Sequence, residues 1–187
     1  MGGKSQAIVF NSGKEGCIMK SPSVYWIGEG LVDRFQTRDP FEIADALGIH
    51  VLFRGNFGSL KGMYRVINRN RFVFINGDLN EPMQILVCAH EIAHDQLHRP
   101  LGLANGLQEF TFYDMISRPE FEANIVAADI LLDSDEILEY IYGCHYTVEE
   151  IAHAMYTDSN LVALKIRSLN HKGYYIPEQF YRSDFLK

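Results

Sequence analysis

The chain has 187 residues and a mass of 21.4 kDa, with 47% hydrophobic and 12% aromatic residues, so it can bury a sizeable core and is not a disordered polymer. Seventeen Lys and Arg against 24 Asp and Glu give a formal charge of −7. That disfavours a general nucleic-acid coat and leaves room only for a local basic patch.

Residues 1–30 are rich in Gly, Ser and Lys without a sustained period, and read as an irregular N-terminal leader. Order becomes legible at Asp39-Pro40-Phe41-Glu42, which offers an N-cap, a first-turn proline and an N3 carboxylate. Phe41, Ala44 and Leu47 follow at helical spacing, and Gly48 stops the helix. Ile49 to Phe53 reads as a strand; Met63 to Ile67 and Arg71 to Ile75 read as a hairpin turning at Asn68-Arg69-Asn70. Asn80-Glu81-Pro82 starts a helix running to about His98. A long linker, Arg99 to Arg118, separates it from a helix beginning near Pro119. Asp135 to Tyr142 forms another helix, Thr147-Val148-Glu149-Glu150 is a capping box opening the next, and Asp158-Ser159 begins the last, which ends near Asn170. Helix, strand, hairpin and then mostly helices predict an α+β fold with a small, mostly antiparallel sheet. The predicted organisation is a leader over 1–30, a main domain over 31–142 and a helical C-terminal extension over 143–187.

Cys17, Cys88 and Cys144 are odd in number, far apart and form no CxxC pair, which disfavours a disulfide scaffold and fits a reducing compartment. The longest apolar run, Ile125 to Leu132, is broken by Asp129 and falls short of the roughly 20 residues a membrane span needs. A soluble cytoplasmic protein is the expectation.

The chemistry lies in His90-Glu91-Ile92-Ala93-His94, an HExxH on a predicted helix. Two His four residues apart sit about 40° apart around a helix axis, so both imidazoles can reach one metal ion. Glu91, about 100° from His90, can address the solvent beside that ion without ligating it, as a general base. Zinc suits two neutral imidazoles and one carboxylate, with a fourth position left for water.

A third ligand must come from elsewhere, and Glu120 and Glu122 are the candidates. With Glu120 as reference, Asn124, Ala127 and Leu131 fall within about 40° on a buried arc, while Glu122 lies about 200° away beside Asp129 and Asp133, a stripe that reads as solvated. Glu120 is therefore expected to face inward and Glu122 to face water. A capping box in Ser117-Arg118-Pro119-Glu120 is a competing role for Glu120. Asn124, one turn on, can support a ligand or pack as a plain amide. His98 continues the series at i+4, but the Gly turn of HExxHxxGxxH sites is missing, so a supporting or helix-terminal role is expected rather than ligation.

These residues resemble the ImmA/IrrE family of zinc metallo-endopeptidases. RDPFEIADALGIHV (38–51) resembles the family's opening helix, CAHEIAHDQLH (88–98) its metal helix and PEFEANIVAADILL (119–132) its second ligand helix; TVEEIAHAMYTDSNLVALKIRSLNHKGY (147–174) is similar to its C-terminal helices. The resemblance implies a zincin-like, gluzincin-type fold, one zinc on His90, His94 and Glu120, and Glu91 as catalytic base. It also implies an anti-repressor role, in which a helix-turn-helix repressor of a phage or mobile element is cleaved. Asp133-Ser134 stands where many members have a Met-Pro pair, which puts the local loop geometry in question.

On this architecture the strand within Arg71 to Asn76 is expected to be the sheet edge beside the cleft, where an extended peptide adds by backbone pairing. The rival functions are a zinc-binding regulator that docks a partner without cutting it, and a DNA-binding regulator using the C-terminal helices with Lys165 and Arg167. Residues 145–187 hold five Lys/Arg and five Asp/Glu, so the footprint of DNA contact is absent there. His145, His153 and His171 read as surface or packed residues, any of which could polarise a scissile carbonyl.

Overall fold

The computed structural model describes residues 23–104, 107–109 and 117–177. It is α+β. A 3-10 turn (Val24–Trp26) leads into α1 (Ile27–Phe35), α2 (Pro40–Leu47), β1 (Ile49–Arg54), β2 (Gly62–Ile67) and β3 (Asn70–Asn76). There follow α3 (Glu81–Leu97), α4 (Arg99–Ala104), β4 (Leu107–Glu109), α5 (Arg118–Leu131), α6 (Ser134–Tyr142), α7 (Val148–Ala154) and α8 (Ser159–His171).

The capping signals do what their chemistry requires. Asp39 accepts from the Phe41 amide, Asn80 from Met83, and Thr147 with Glu150 closes a reciprocal capping box. Asp133 accepts from the amides of Asp135 and Glu136, so Asp133-Ser134 forms the cap of α6. The hairpin closes through Asn68 and Arg69, both at positive φ (50° and 67°), the twist that a two-residue loop between antiparallel strands demands.

The sheet order is β1-β3-β2-β4; β1 runs parallel to β3, and the other two pairings are antiparallel. The expectation that β3 is the edge is therefore overturned. β1 returns alongside one flank of β3 and β2 covers the other, leaving β1 and β4 at the margins among the described residues. The expected long linker likewise contains α4 and β4, the latter pairing with β2 from Gly62 to Tyr64; positions 105–106 and 110–116 lie outside the described residues.

One face of the sheet, with Ile49, Tyr64, Val73 and Ile75, is buried with α3. α5 lies against α3 on the helical side, and α1 and α8 pack on α5. Each Ile or Val fully removed from water contributes roughly 1.5–3 kcal/mol, so this shared core outweighs the modest intrinsic propensity of any one helix.

The irregular leader expected over 1–30 gives way to helix at Val24; residues 1–22, with Cys17, lie outside the described residues. Gly28 and Gly30 weaken the helical signal of α1. Gly28 is there for packing: a Cβ would come within 2.7 Å of the Val126 carbonyl oxygen on α5.

Beside that contact lies a buried ionic cluster. Asp129 is fully buried and accepts from Lys165 Nζ (3.1 Å), Ser168 Oγ (2.7 Å) and Lys172 Nζ (3.0 Å); Lys165 also pairs with Glu29 of α1. Arg38 donates to the carbonyls of Asp129, Ile130 and Leu132 at 3.0–3.2 Å, satisfying the free C-terminal end of α5. The solvated stripe expected to hold Asp129 is thus interior at that point, because α8 covers it. Lys165, fully buried, is taken up in this cluster, and Arg167 lies over the Phe121 ring at 4.7 Å. The C-terminal helices are bound into the same core as the rest. Cys88 is buried, Cys144 is exposed, and neither is in a disulfide. No helix among the described residues is long and apolar enough to cross a membrane.

Removing the acid from this cluster leaves Lys172 without its buried carboxylate and Lys165 with Glu29 alone. Asp129→Leu is expected to destabilise the protein by about 3–5 kcal/mol in urea unfolding. A loss below 1 kcal/mol would show that the lysines reach water at little cost.

Candidate metal centre

α3 is 17 residues long and buried from Leu86 to Asp95. That stretch contains four polar side chains, His90, Glu91, His94 and Asp95, each at most 1% exposed. Buried polar groups at mid-helix need partners, because each one left unmatched costs on the order of 1–3 kcal/mol.

The partners come from both neighbouring layers. On the α5 side, His90 Nδ1 lies 2.9 Å from Asn124 Oδ1. His94 Nδ1 lies 3.0 Å from His98 Nδ1, and His98 Nε2 lies 3.1 Å from Glu122 Oε2. With both Nδ1 atoms so engaged, the two Nε2 atoms converge at 3.0 Å, and Glu120 closes the triangle at 3.1 Å from His90 Nε2 and 3.6 Å from His94 Nε2. Ser117 caps α5 by accepting from the Glu120 amide, but the Glu120 carboxylate turns both oxygens to the imidazoles rather than closing a capping box.

The three ligand atoms all lie within 4.8 Å of one another. A tetrahedral zinc with bonds of about 2.0–2.2 Å spaces its donors about 3.3–3.6 Å apart, close to the 3.0–3.6 Å that separate the two Nε2 atoms from each other and from the Glu120 oxygens, Oε2 towards His90 and Oε1 towards His94. Burial pushes the His94 imidazole down to about 4, against the opposing pull of Glu120. The ring is therefore neutral at physiological pH, the form in which a histidine can donate a lone pair. Donor chemistry, protonation and spacing all fit one divalent ion.

Glu91 sits one residue from His90 and packs towards β2. A Cβ on Gly62 would come 2.8 Å from Glu91 Oε1 and would overlap the Val87 side chain, so glycine at the start of β2 is what admits the carboxylate. Asp95 anchors the same helix to the sheet. It accepts from Tyr64 Oη (2.7 Å), Arg71 Nη1 (2.9 Å) and Arg99 Nη2 (3.0 Å), and Arg71 also donates to the Leu47 carbonyl. Burial, and then the hydrogen bond to Asp95, push the Tyr64 phenol well above its ordinary range.

The structure thus brings together His90, His94 and Glu120, with Asn124 and His98 behind the two imidazoles. Glu122 corrects the expectation of a solvated residue. Its side chain is 17% exposed, between His98 and Arg118 Nε (2.7 Å). Burial opposes its ionisation, but hydrogen bonds from Arg118 and His98 prevail and hold its carboxyl below the usual range. Helix phase could not find this contact, because Glu122 reaches round to the next turn of α3. The i, i+4 spacing of Asp95 and Arg99 was the available signal for the anchor, whereas Tyr64, Arg71 and Gly62 carried none. His145 and His153 are exposed, and His171 stacks on Tyr25 with ring centroids 4.0 Å apart.

Residues 44–166 match the peptidase family model Peptidase_M78, described as the IrrE N-terminal-like domain. The chain is also 30% identical over 135 residues to "Uncharacterized immunity region protein 2" of Bacillus phage phi105, an alignment covering 72% of this chain and 84% of that protein. With about two thirds of its length in the family match and the helices carrying His90, His94 and Glu120 inside that stretch, the chain belongs to the IrrE N-terminal-like peptidase family.

Proposed function

We propose that the protein is a zinc-dependent endopeptidase that cleaves a helix-turn-helix repressor of a phage or mobile element. The observation that carries this reading is the convergence of two buried imidazoles and one carboxylate, with an acid, Glu91, next to them in sequence that stands outside the ligand triangle. A purely structural zinc site closes all four positions with protein ligands, whereas three ligands leave one for solvent or substrate. The phage immunity-region relative supports a repressor as substrate.

His90, His94 and Glu120 would hold the ion. When bound, zinc supplies a Lewis acid that polarises the scissile carbonyl and lowers the pKa of water towards ~7. Asn124 and His98 keep both Nε2 lone pairs aimed at the same point. Glu91 takes the proton of the attacking water and passes it to the leaving amine, in the role of base and then acid. β2 backs Glu91 at Gly62 and limits where its carboxylate can swing.

Glu91→Gln is expected to retain zinc while slowing cleavage by about 10²–10⁴-fold, the usual worth of a positioned general base. Undiminished proteolysis would remove Glu91 from that role. Zinc content separates ligand from support: Glu120→Gln should weaken zinc binding by more than the about 10–100-fold typical of a residue one shell out. Full occupancy in that variant would overturn the ligand set. Gly62→Ala should keep zinc yet lose roughly 10²-fold in turnover, the scale of a 1 Å misplacement of a reacting group. The substrate assignment is tested by incubating the zinc-loaded protein with purified helix-turn-helix repressors, first among them any encoded beside its gene, with and without chelator. An intact repressor in both arms would favour a regulator that binds its partner without cutting it.

A further inference from the structure

We propose that His98 and Glu122 form a positioning relay for the metal ligand His94, so that α5 supports both imidazoles of α3 and supplies the third ligand as well. The inference rests on the reading of His94 as a ligand, and extends it to two residues with no ligand role.

The argument follows the protons. If His94 Nε2 offers its lone pair to the ion, its Nδ1 must carry the hydrogen, since a neutral imidazole has one N–H and one acceptor. His94 Nδ1 then donates to His98 Nδ1 at 3.0 Å, which must be the unprotonated nitrogen of that ring. His98 Nε2 therefore carries the hydrogen and donates to Glu122 Oε2 at 3.1 Å. Glu122 Oε1 accepts in turn from Arg118 Nε at 2.7 Å. Every donor has one acceptor, and the series has one consistent direction. The ionised carboxylate at its end favours the His98 tautomer that can accept from His94.

The geometry is specific to these positions. His90 and His94 lie four residues apart on α3, and His98, four further on, is the C-cap of that helix with non-helical dihedrals (φ −124°, ψ 23°), so its ring stands behind His94 and outside the ligand triangle. On α5, Glu120 and Asn124 share the face that meets His90 and His94, while Glu122 hooks over to the neighbouring turn. The two imidazoles are consequently held by different means: His90 by a neutral amide, His94 by an imidazole backed by a carboxylate. A carboxylate behind a ligating histidine fixes its tautomer and raises its basicity.

The test is a double-mutant cycle on zinc affinity, read by chelator competition, with the cobalt(II) absorption spectrum as a second readout of coordination geometry. His98→Leu and Glu122→Gln are each expected to weaken zinc binding by about 10–100-fold and to shift the cobalt bands. The double variant should bind no more weakly than His98→Leu alone, because Glu122 acts only through His98. His98→Gln, which restores an acceptor for His94 Nδ1, should recover most of the affinity and be insensitive to Glu122→Gln. Thermal midpoints of the metal-free variants monitor the fold; a loss of affinity that follows those midpoints, with unchanged cobalt bands, would overturn the relay in favour of plain structural support. Native zinc affinity in His98→Leu, or independent losses in the double variant, would also overturn it. A wild-type protein that binds neither ion removes the ligand set and the relay together. A protein that binds zinc through the relay but leaves every repressor intact keeps this inference while the peptidase reading fails.

Discussion

The centre depends on a buried polar stripe in the middle of α3. Four side chains that prefer water are enclosed where almost none reaches them, so the fold must surround α3 with matching groups. The α5 side supplies Glu120, Glu122 and Asn124; the sheet supplies Tyr64 and Arg71. The two halves serve different ends. Groups on the α5 side aim nitrogen lone pairs, while groups on the sheet side fix the helix itself through Asp95. A hydrophobic α3 of the same shape would avoid the desolvation and would have nothing to offer an ion.

α5 therefore has two tasks, one at each end. Its N-terminal half faces the imidazoles with Glu120, Glu122 and Asn124. Its C-terminal half is held by the Asp129 cluster and by Arg38 on its last carbonyls. A helix pinned at one end can keep a ligand in place at the other, because the rigid backbone between them carries the constraint. Burying the ions costs desolvation, which attraction offsets only when geometry is good and all partners are present. Here Asp129 has three donors and Lys165 two acids.

Much of this was legible in the sequence, and for local reasons. Asp39, Asn80 and Thr147 announce helix starts because a capping side chain acts within its own turn. HExxH announces the convergence of His90 and His94 because its spacing brings both imidazoles to one face of α3. Glu120 followed from periodicity, since the buried arc it begins continues through Asn124 and Ala127. The misses share a different cause. Asp129 read as solvated because α8, which covers it, lies 30 residues downstream in sequence. Glu122 read as solvated because its partner His98 belongs to another helix, and phase along one helix is blind to what lies alongside. α1 hid behind two glycines whose use, at Gly28, is close packing against α5. β3 read as an edge because β1, adjacent only through a parallel return, cannot be placed from order along the chain.

The same accounting bears on what the protein recognises. Among the cations of the C-terminal helices, Lys165 and Lys172 are tied to Asp129, and Arg167 lies over Phe121. These charges are spent inside the molecule, stabilising the helix that carries Glu120, and little of them is left to meet a phosphate backbone. A protein built to grip duplex DNA needs exposed cations whose counterions are released on binding. The last helices instead brace α5, the helix that carries Glu120 to the two imidazoles. That division fits a protein that acts on another polypeptide, with the chemistry concentrated between α3 and α5.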